Sequence, residues 1–278
     1  MLGLVLALAA SVSWGVSDYL GGVRSRVVPL LTLIAVSQLA GLVLMGGLAL
    51  ATRSFPDMRT AVYAALAGAA GIVALGAFYR GMAIGRISIV APVSATGVAL
   101  PVAVGLARGE RPGVAALVGI AFALAGVVLA SAEKHPVRGH SLAAEVPLAL
   151  AAALGFGVFF LFLAKASEHH HALAATLMLR LATAPVILLV LLVVRRPLRI
   201  PPRNLRWLIL IGVLDSAANA LYALATDHGL LSLVSVLGSL YPLATVLLAQ
   251  TLLHEHISRH QKAGIGAALV GIALISAG

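Results

Sequence analysis

The chain has 278 residues, of which 61% are hydrophobic and only 10% charged, and its mean hydropathy is +1.08. A soluble domain of this length carries about a quarter of its residues charged, so the polar surface here is too small to cover a water-soluble globule. The net charge of +10 does not indicate nucleic acid: the Lys and Arg residues fall in short gaps between apolar blocks, as topology signals do, and no stacking aromatics accompany them.

The apolar blocks are long enough to cross a bilayer, which takes roughly 20 residues per helix. The first, 2–20, resembles a secretory signal over its opening residues, but it lacks a basic leader and runs on past Trp14. It is expected to stay as a helix. Helices are predicted next over 30–52, 60–83, 87–107 and 114–132, then over 145–165, 172–194, 204–227, 231–252 and 262–277. Gaps at 84–86 and 228–230 are so short that the helices flanking them must be antiparallel neighbours. The expected fold is therefore all-α and integral to the membrane, with ten transmembrane helices. Cysteine is absent, which excludes disulfide and thiolate chemistry. The Ala, Val, Leu, Gly and Arg bias points to a prokaryotic source, hence a plasma (inner) membrane.

Segments recur along the chain. Leu8 to Gly15 matches Leu150 to Gly157, Ser88-Ile89-Val90 matches Ser232-Leu233-Val234, and Glu110-Arg111 matches Glu255-His256. Ala125-Gly126-Val127 likewise matches Val270-Gly271-Ile272. The separations are nearly constant, as duplication requires, and two repeats of five helices are expected over 1–139 and 140–278. An odd helix number inverts the second copy, an arrangement that places a site at mid-membrane between repeats.

Ionisable groups within apolar helices are costly unless paired or wetted, so they mark candidate sites. Asp215, Asn219, Tyr222 and Thr226 form a stripe along one helix face, which suits a cavity wall or a hydrogen-bonded seam between helices. Asp18 lies one turn beyond Trp14 on the first helix and suits either a cavity or the headgroup boundary. Trp14 corresponds to Phe156 in the second repeat, so the two read either as flanking a common space or as ordinary packing. Arg180 sits about 13 Å deep at 1.5 Å per residue, too deep to snorkel, and Asp215 is its first expected partner, Asp18 its second. Ser235 and Ser239 on one face of the 231–252 helix, and Ser94 on the related helix that Pro92 and Pro101 interrupt, are further candidates to line a site, as are Tyr79 and Tyr222. The His169–His171 run and the His254, Glu255, His256 and His260 group lack metal-binding spacing. No nucleotide-binding loop and no nucleophile–base constellation stands out, so neither a metal nor a cofactor is expected, and Asp18 or Asp215 is left as a possible proton carrier.

The stretch Leu240-Tyr241-Pro242 to Glu255-His256-Ile257-Ser258, with Gly264, Gly266 and Gly271, resembles the EamA-type transporters of the drug/metabolite transporter superfamily. Val90-Ala91-Pro92, Pro101, Gly109-Glu110-Arg111-Pro112 and Gly119 echo it in the first half, and Trp14 to Gly22 fits one branch. Arg86 and His254-Glu255-His256 depart from the common pattern. The resemblance implies ten helices around a central cavity, alternating access, and movement of a small organic metabolite such as an amino acid, often outward. It also implies cytoplasmic termini, whereas the crowding of Lys and Arg in alternate gaps, Arg195 to Arg206 above all, places the termini outside. The expected partners are a small-molecule substrate, the lipid bilayer and at most a second copy of the chain. Rival readings are a membrane-embedded lipid-modifying enzyme and a structural or sensor protein.

Overall fold

The three opening helices, Leu2–Arg24 (α1), Leu30–Thr52 (α2) and Met58–Ile84 (α3), each exceed the length of a bilayer crossing, at 23, 23 and 27 residues. The computed structural model describes residues 1–85, 87–131, 142–168, 171–195, 202–253 and 259–277. After α3 come Ile87–Ala95 (α4), a 3₁₀ turn at Thr96–Val98, Ala99–Ala107 (α5) and Val114–Ser131 (α6). The second half comprises Leu142–Ser167 (α7), Ala172–Val194 (α8), Pro202–Thr226 (α9), Leu231–Gly238 (α10), Tyr241–Leu253 (α11) and Arg259–Ala277 (α12). Among the described residues, seven spans are long and apolar enough to cross a membrane and three shorter apolar helices join them, ten in all. No strand occurs among these residues.

The expected helices 87–107 and 231–252 are each broken near the middle, and the sequence explains both breaks. Pro101 and Pro242 lack the N–H that would bond back to the carbonyls of Gly97 and Gly238. Local hydroxyls take up neighbouring carbonyls instead: Ser94 Oγ donates to Ala91 O at 2.6 Å, Thr96 Oγ1 to Val93 O at 2.6 Å and Ser239 Oγ to Val236 O at 2.7 Å. Irregular backbone at membrane depth is tolerated only where protein or water surrounds it. Here protein does. Gly15 lies against the Tyr241 carbonyl and the Ala244 methyl, and its own carbonyl accepts from Thr245 Oγ1 at 3.1 Å. Its counterpart Gly157 lies against the Gly97 carbonyl and Leu100.

Packing between the halves recurs in matched pairs. The α1 helix lies on α9 as α7 lies on α3, and α1 meets α10 and α11 as α7 meets α4 and α5. The α2–α8 and α6–α12 pairs complete the set. Along the α1–α9 seam, Ser13 and Ser17 donate to the carbonyls of Leu214 and Ile211 at 2.9 and 3.1 Å. The α6–α12 contact is backbone on backbone. A Cβ on Gly271 would sit 2.6 Å from Ala123 N and 2.7 Å from Gly119 O, and one on Gly126 would sit 2.7 Å from Gly264 O. Lipid gives apolar helices little reason to associate, so such close approach of small residues supplies the attraction.

Connections outside the apolar spans are fixed by polar groups. Asp57 Oδ1 accepts the Thr60 N–H at 2.7 Å at the start of α3, and these bonds hold its carboxyl below the usual carboxylate range. Arg24 Nη1 donates to Asn204 Oδ1 at 3.0 Å and stacks over Trp207. Glu110, in the turn after α5, accepts the N–H groups of Leu231 and Ser232 at 2.8 and 3.0 Å, one on each oxygen. A carboxylate there complements the positive end of α10 and ties the halves together.

Two glycine substitutions separate these packing effects. Gly271→Ala is expected to lower the unfolding temperature in detergent, because the α6 backbone must move. Gly46→Ala, where nothing lies within 4 Å, is expected to leave it unchanged or to raise it by the roughly 0.5–1 kcal/mol that Ala gains over Gly in a helix.

Candidate functional site

The side chains that sequence marks as costly in lipid converge on one cavity. It is lined by Trp14, Asp18, Gln38, Leu75, Phe156, Phe159, Phe160, Arg180, Thr183, Asp215, Asn219 and Tyr241, with Gly68 and Gly71 giving it depth. The space open to water centres is about 50 Å³, room for a few waters at about 10–15 Å³ each. The walls come from α1, α2, α3, α7, α8, α9 and α11, so both halves of the chain contribute.

Arg180 is buried, only 1% exposed. Its Nη2 pairs with Asp215 Oδ2 and its Nη1 donates to Gln38 Oε1 at 2.7 Å, the same oxygen that receives Thr183 Oγ1 at 2.9 Å. The pairing expected from its depth is the one found. Gly41 makes room beside it: a Cβ there would run into Ser216 Oγ and come within 3.0 Å of Arg180 Nε. Trp14 Nε1 donates to Asn219 Oδ1 at 3.1 Å, and the indole packs at 5.4 Å from Phe160 and 5.7 Å from Tyr222. Asp18 is 7% exposed and faces the cavity. Among the described residues no cation pairs with it.

Of the residues marked in sequence, Trp14, Asp18, Phe156, Arg180, Asp215 and Asn219 meet at the cavity. Tyr79, Ser94, Tyr222, Ser235 and Ser239 lie behind its wall. Tyr79 fills the space left by Gly21, and Phe78 beside it packs on Phe156 and Tyr241. Ser94 and the Tyr241 hydroxyl are 2.7 Å apart, Tyr222 and Ser235 are 2.8 Å apart, and Ser239 closes on its own helix. The α9 stripe therefore divides: Asp215 and Asn219 face the cavity, while Tyr222 and Thr226 bond to Ser235 and Ser167 as seams between helices. Sequence reasoning missed Gln38, Thr183 and Tyr241. Gln38 carried a signal, as the one amide in the apolar α2, and Thr183 lies one turn from Arg180. The side chain of Ser88, as well as His169, His170, His254, Glu255 and His256, falls outside the described residues. Among those described, no group of three or more His, Asp or Glu is placed to hold a metal.

Among the described residues, ten apolar helices and a buried cavity lined by ionisable side chains define a polytopic membrane protein with a polar internal site. The EamA-like transporter family matches residues 1–132 and again 144–277. The chain belongs to that family, within the drug/metabolite transporter superfamily, and is a multi-pass membrane transporter by class. No curated protein matches it. A solved structure described only as "Crystal structure of protein" aligns with a TM-score of 0.76 at 17% identity, covering 98% of this chain and 95% of that one. At that identity it supports the fold alone.

The two cavity carboxylates predict different responses to one substitution. Asp215→Asn leaves Arg180 buried without its counter-charge and is expected to cost roughly 3 kcal/mol, seen as a lower unfolding temperature in detergent. Asp18→Asn breaks no ion pair and is expected to leave that temperature nearly unchanged. Equal losses in both variants would contradict the assignment of Asp215 as the pairing group.

Proposed function

We propose that the protein is a secondary transporter that moves a small organic metabolite, such as an amino acid, by alternating access around this cavity, as an exporter or facilitator in a prokaryotic inner membrane. The observation that carries the proposal is the cavity itself. Charge held by Arg180, Asp215 and Asp18 at the centre of an apolar bundle has a use when a polar solute must pass, and burdens a structural protein with desolvation.

The two halves, placed at 1–139 and 140–278, act in this reading as inverted repeats that rock about the site. The reciprocal packing supports it. Gly119 meets Gly271 while Gly126 meets Gly264, so α6 and α12 run in opposite directions with their matched glycines exchanging places, the pattern of a two-fold axis lying across the helices. Glu110 on the α10 N-terminus then serves as a fastening that holds one end of the pathway shut and must release as it opens. Broken helices α4–α5 and α10–α11 supply the bending points. Asp18 takes up a proton when substrate leaves, which couples movement to a gradient. The termini lie in the cytoplasm in this reading, as in the family the chain belongs to. The enzyme and structural readings have no observation of their own in their favour.

Purified protein in proteoliposomes provides the test, with uptake of labelled amino acids and amines measured by counterflow. Saturable, protein-dependent flux of at least one solute is expected, falling at least tenfold in Asp18→Asn. Flux unchanged in Asp18→Asn would remove the coupling role, and absence of flux for every solute would contradict transport.

A further inference from the structure

The charges of the cavity do not balance. Its lining holds two carboxylates, Asp18 and Asp215, against one guanidinium, Arg180. Arg180 is committed: its terminal nitrogens are engaged by Asp215 and Gln38, and Gln38 is in turn shared with Thr183. Asp215 is committed with it. The carboxyl left without a partner is therefore Asp18, which is buried, lines the cavity, and has no cation among the described residues. Once ionised in a membrane it calls for a positive partner, which a proton supplies in the empty site and a cationic solute in the loaded one.

The rest of the wall says what kind of partner. Trp14, Phe156, Phe159, Phe160 and Tyr241 line the same space, and aromatic faces attract cations through their ring quadrupole, most strongly where water is excluded. Inorganic cations demand several oxygen ligands, whereas the oxygens of Gln38, Thr183 and Asn219 in this wall are already bonded within the protein and five of its residues are aromatic. Free space for a few waters favours a small head group. An anion is disfavoured, because the one guanidinium of the lining already has Asp215 as its counter-charge and Gln38 on its other terminal nitrogen.

We infer that the site takes a small organic cation, with a protonated amine or quaternary ammonium seated on the Asp18 carboxylate and its carbon substituents against the aromatic wall. A substrate of net charge +1 neutralises the site, while an amino-acid zwitterion leaves the surplus in place. This rests on the transporter reading of the cavity and narrows its substrate to amines.

The test uses the full-length protein in detergent, with unfolding temperature read against rising ethanolamine, choline, alanine and lactate. Ligands that bind the folded state raise it in proportion to their excess over the dissociation constant. A saturable rise is expected for ethanolamine or choline and none for lactate, with the half-saturating concentration increased at least tenfold in Asp18→Asn and largely restored in Asp18→Glu. Stabilisation by alanine or lactate but by neither amine would overturn the inference while leaving the transporter reading intact. So would an amine response unchanged in Asp18→Asn. No response to any probe, together with no flux of any solute in proteoliposomes, would overturn both.

Discussion

The structure depends on one constraint: a charge placed in hydrocarbon must find an opposite charge or water. Arg180 meets that constraint with Asp215 and Gln38, and doing so fixes the relative positions of α2, α8 and α9 at the depth of the cavity. Gly41 and Gly212 follow from the same demand, since Ser216, the guanidinium and the Ser37 backbone crowd against them. Without Arg180 only the Thr183–Gln38 bond would join α2 to α8 at this depth, and lipid offers only a weak apolar reason to meet.

The seams around the cavity are built differently from its wall. Serine hydroxyls on α1 bond to carbonyls of α9, Tyr222 meets Ser235, and Tyr241 meets Ser94. These bonds saturate within the protein and leave nothing for a solute. Wall groups do the reverse. Asp18 lines the cavity without a cation partner among the described residues, and Trp14 and Asn219 bond to each other while both line it. Polar groups on one membrane helix thus divide into those that hold the bundle and those that address its contents, and spacing along the helix does not tell them apart.

That division marks how far the sequence could be read. The helices were legible because each apolar block is about as long as a bilayer is thick; matched segments such as Leu8 to Gly15 and Leu150 to Gly157 keep the spacing that a duplication would require. Arg180 and Asp215 were legible because charge at mid-membrane has few explanations. Tyr222, Ser235 and Ser239 share the composition of a binding face, yet their partners lie on neighbouring helices, which only three dimensions reveal. Gln38 escaped for the opposite reason: a single amide in α2 looked incidental until Arg180, 142 residues away in sequence, was seen to bond to it. The breaks at Thr96–Val98 and Ser239–Leu240 were half visible, as prolines without a known geometry.

The central claim is that this cavity opens to each side of the membrane in turn. The chain contains no cysteine, so a single Leu75→Cys substitution in the cavity wall can be followed with a small membrane-impermeant thiol reagent. Vesicles of both orientations should show labelling from either face, slowed by a bound solute and far faster than at Ala64→Cys, where the parent side chain is fully buried outside the cavity. Labelling from neither face, or at the same slow rate as Ala64→Cys, would contradict the account.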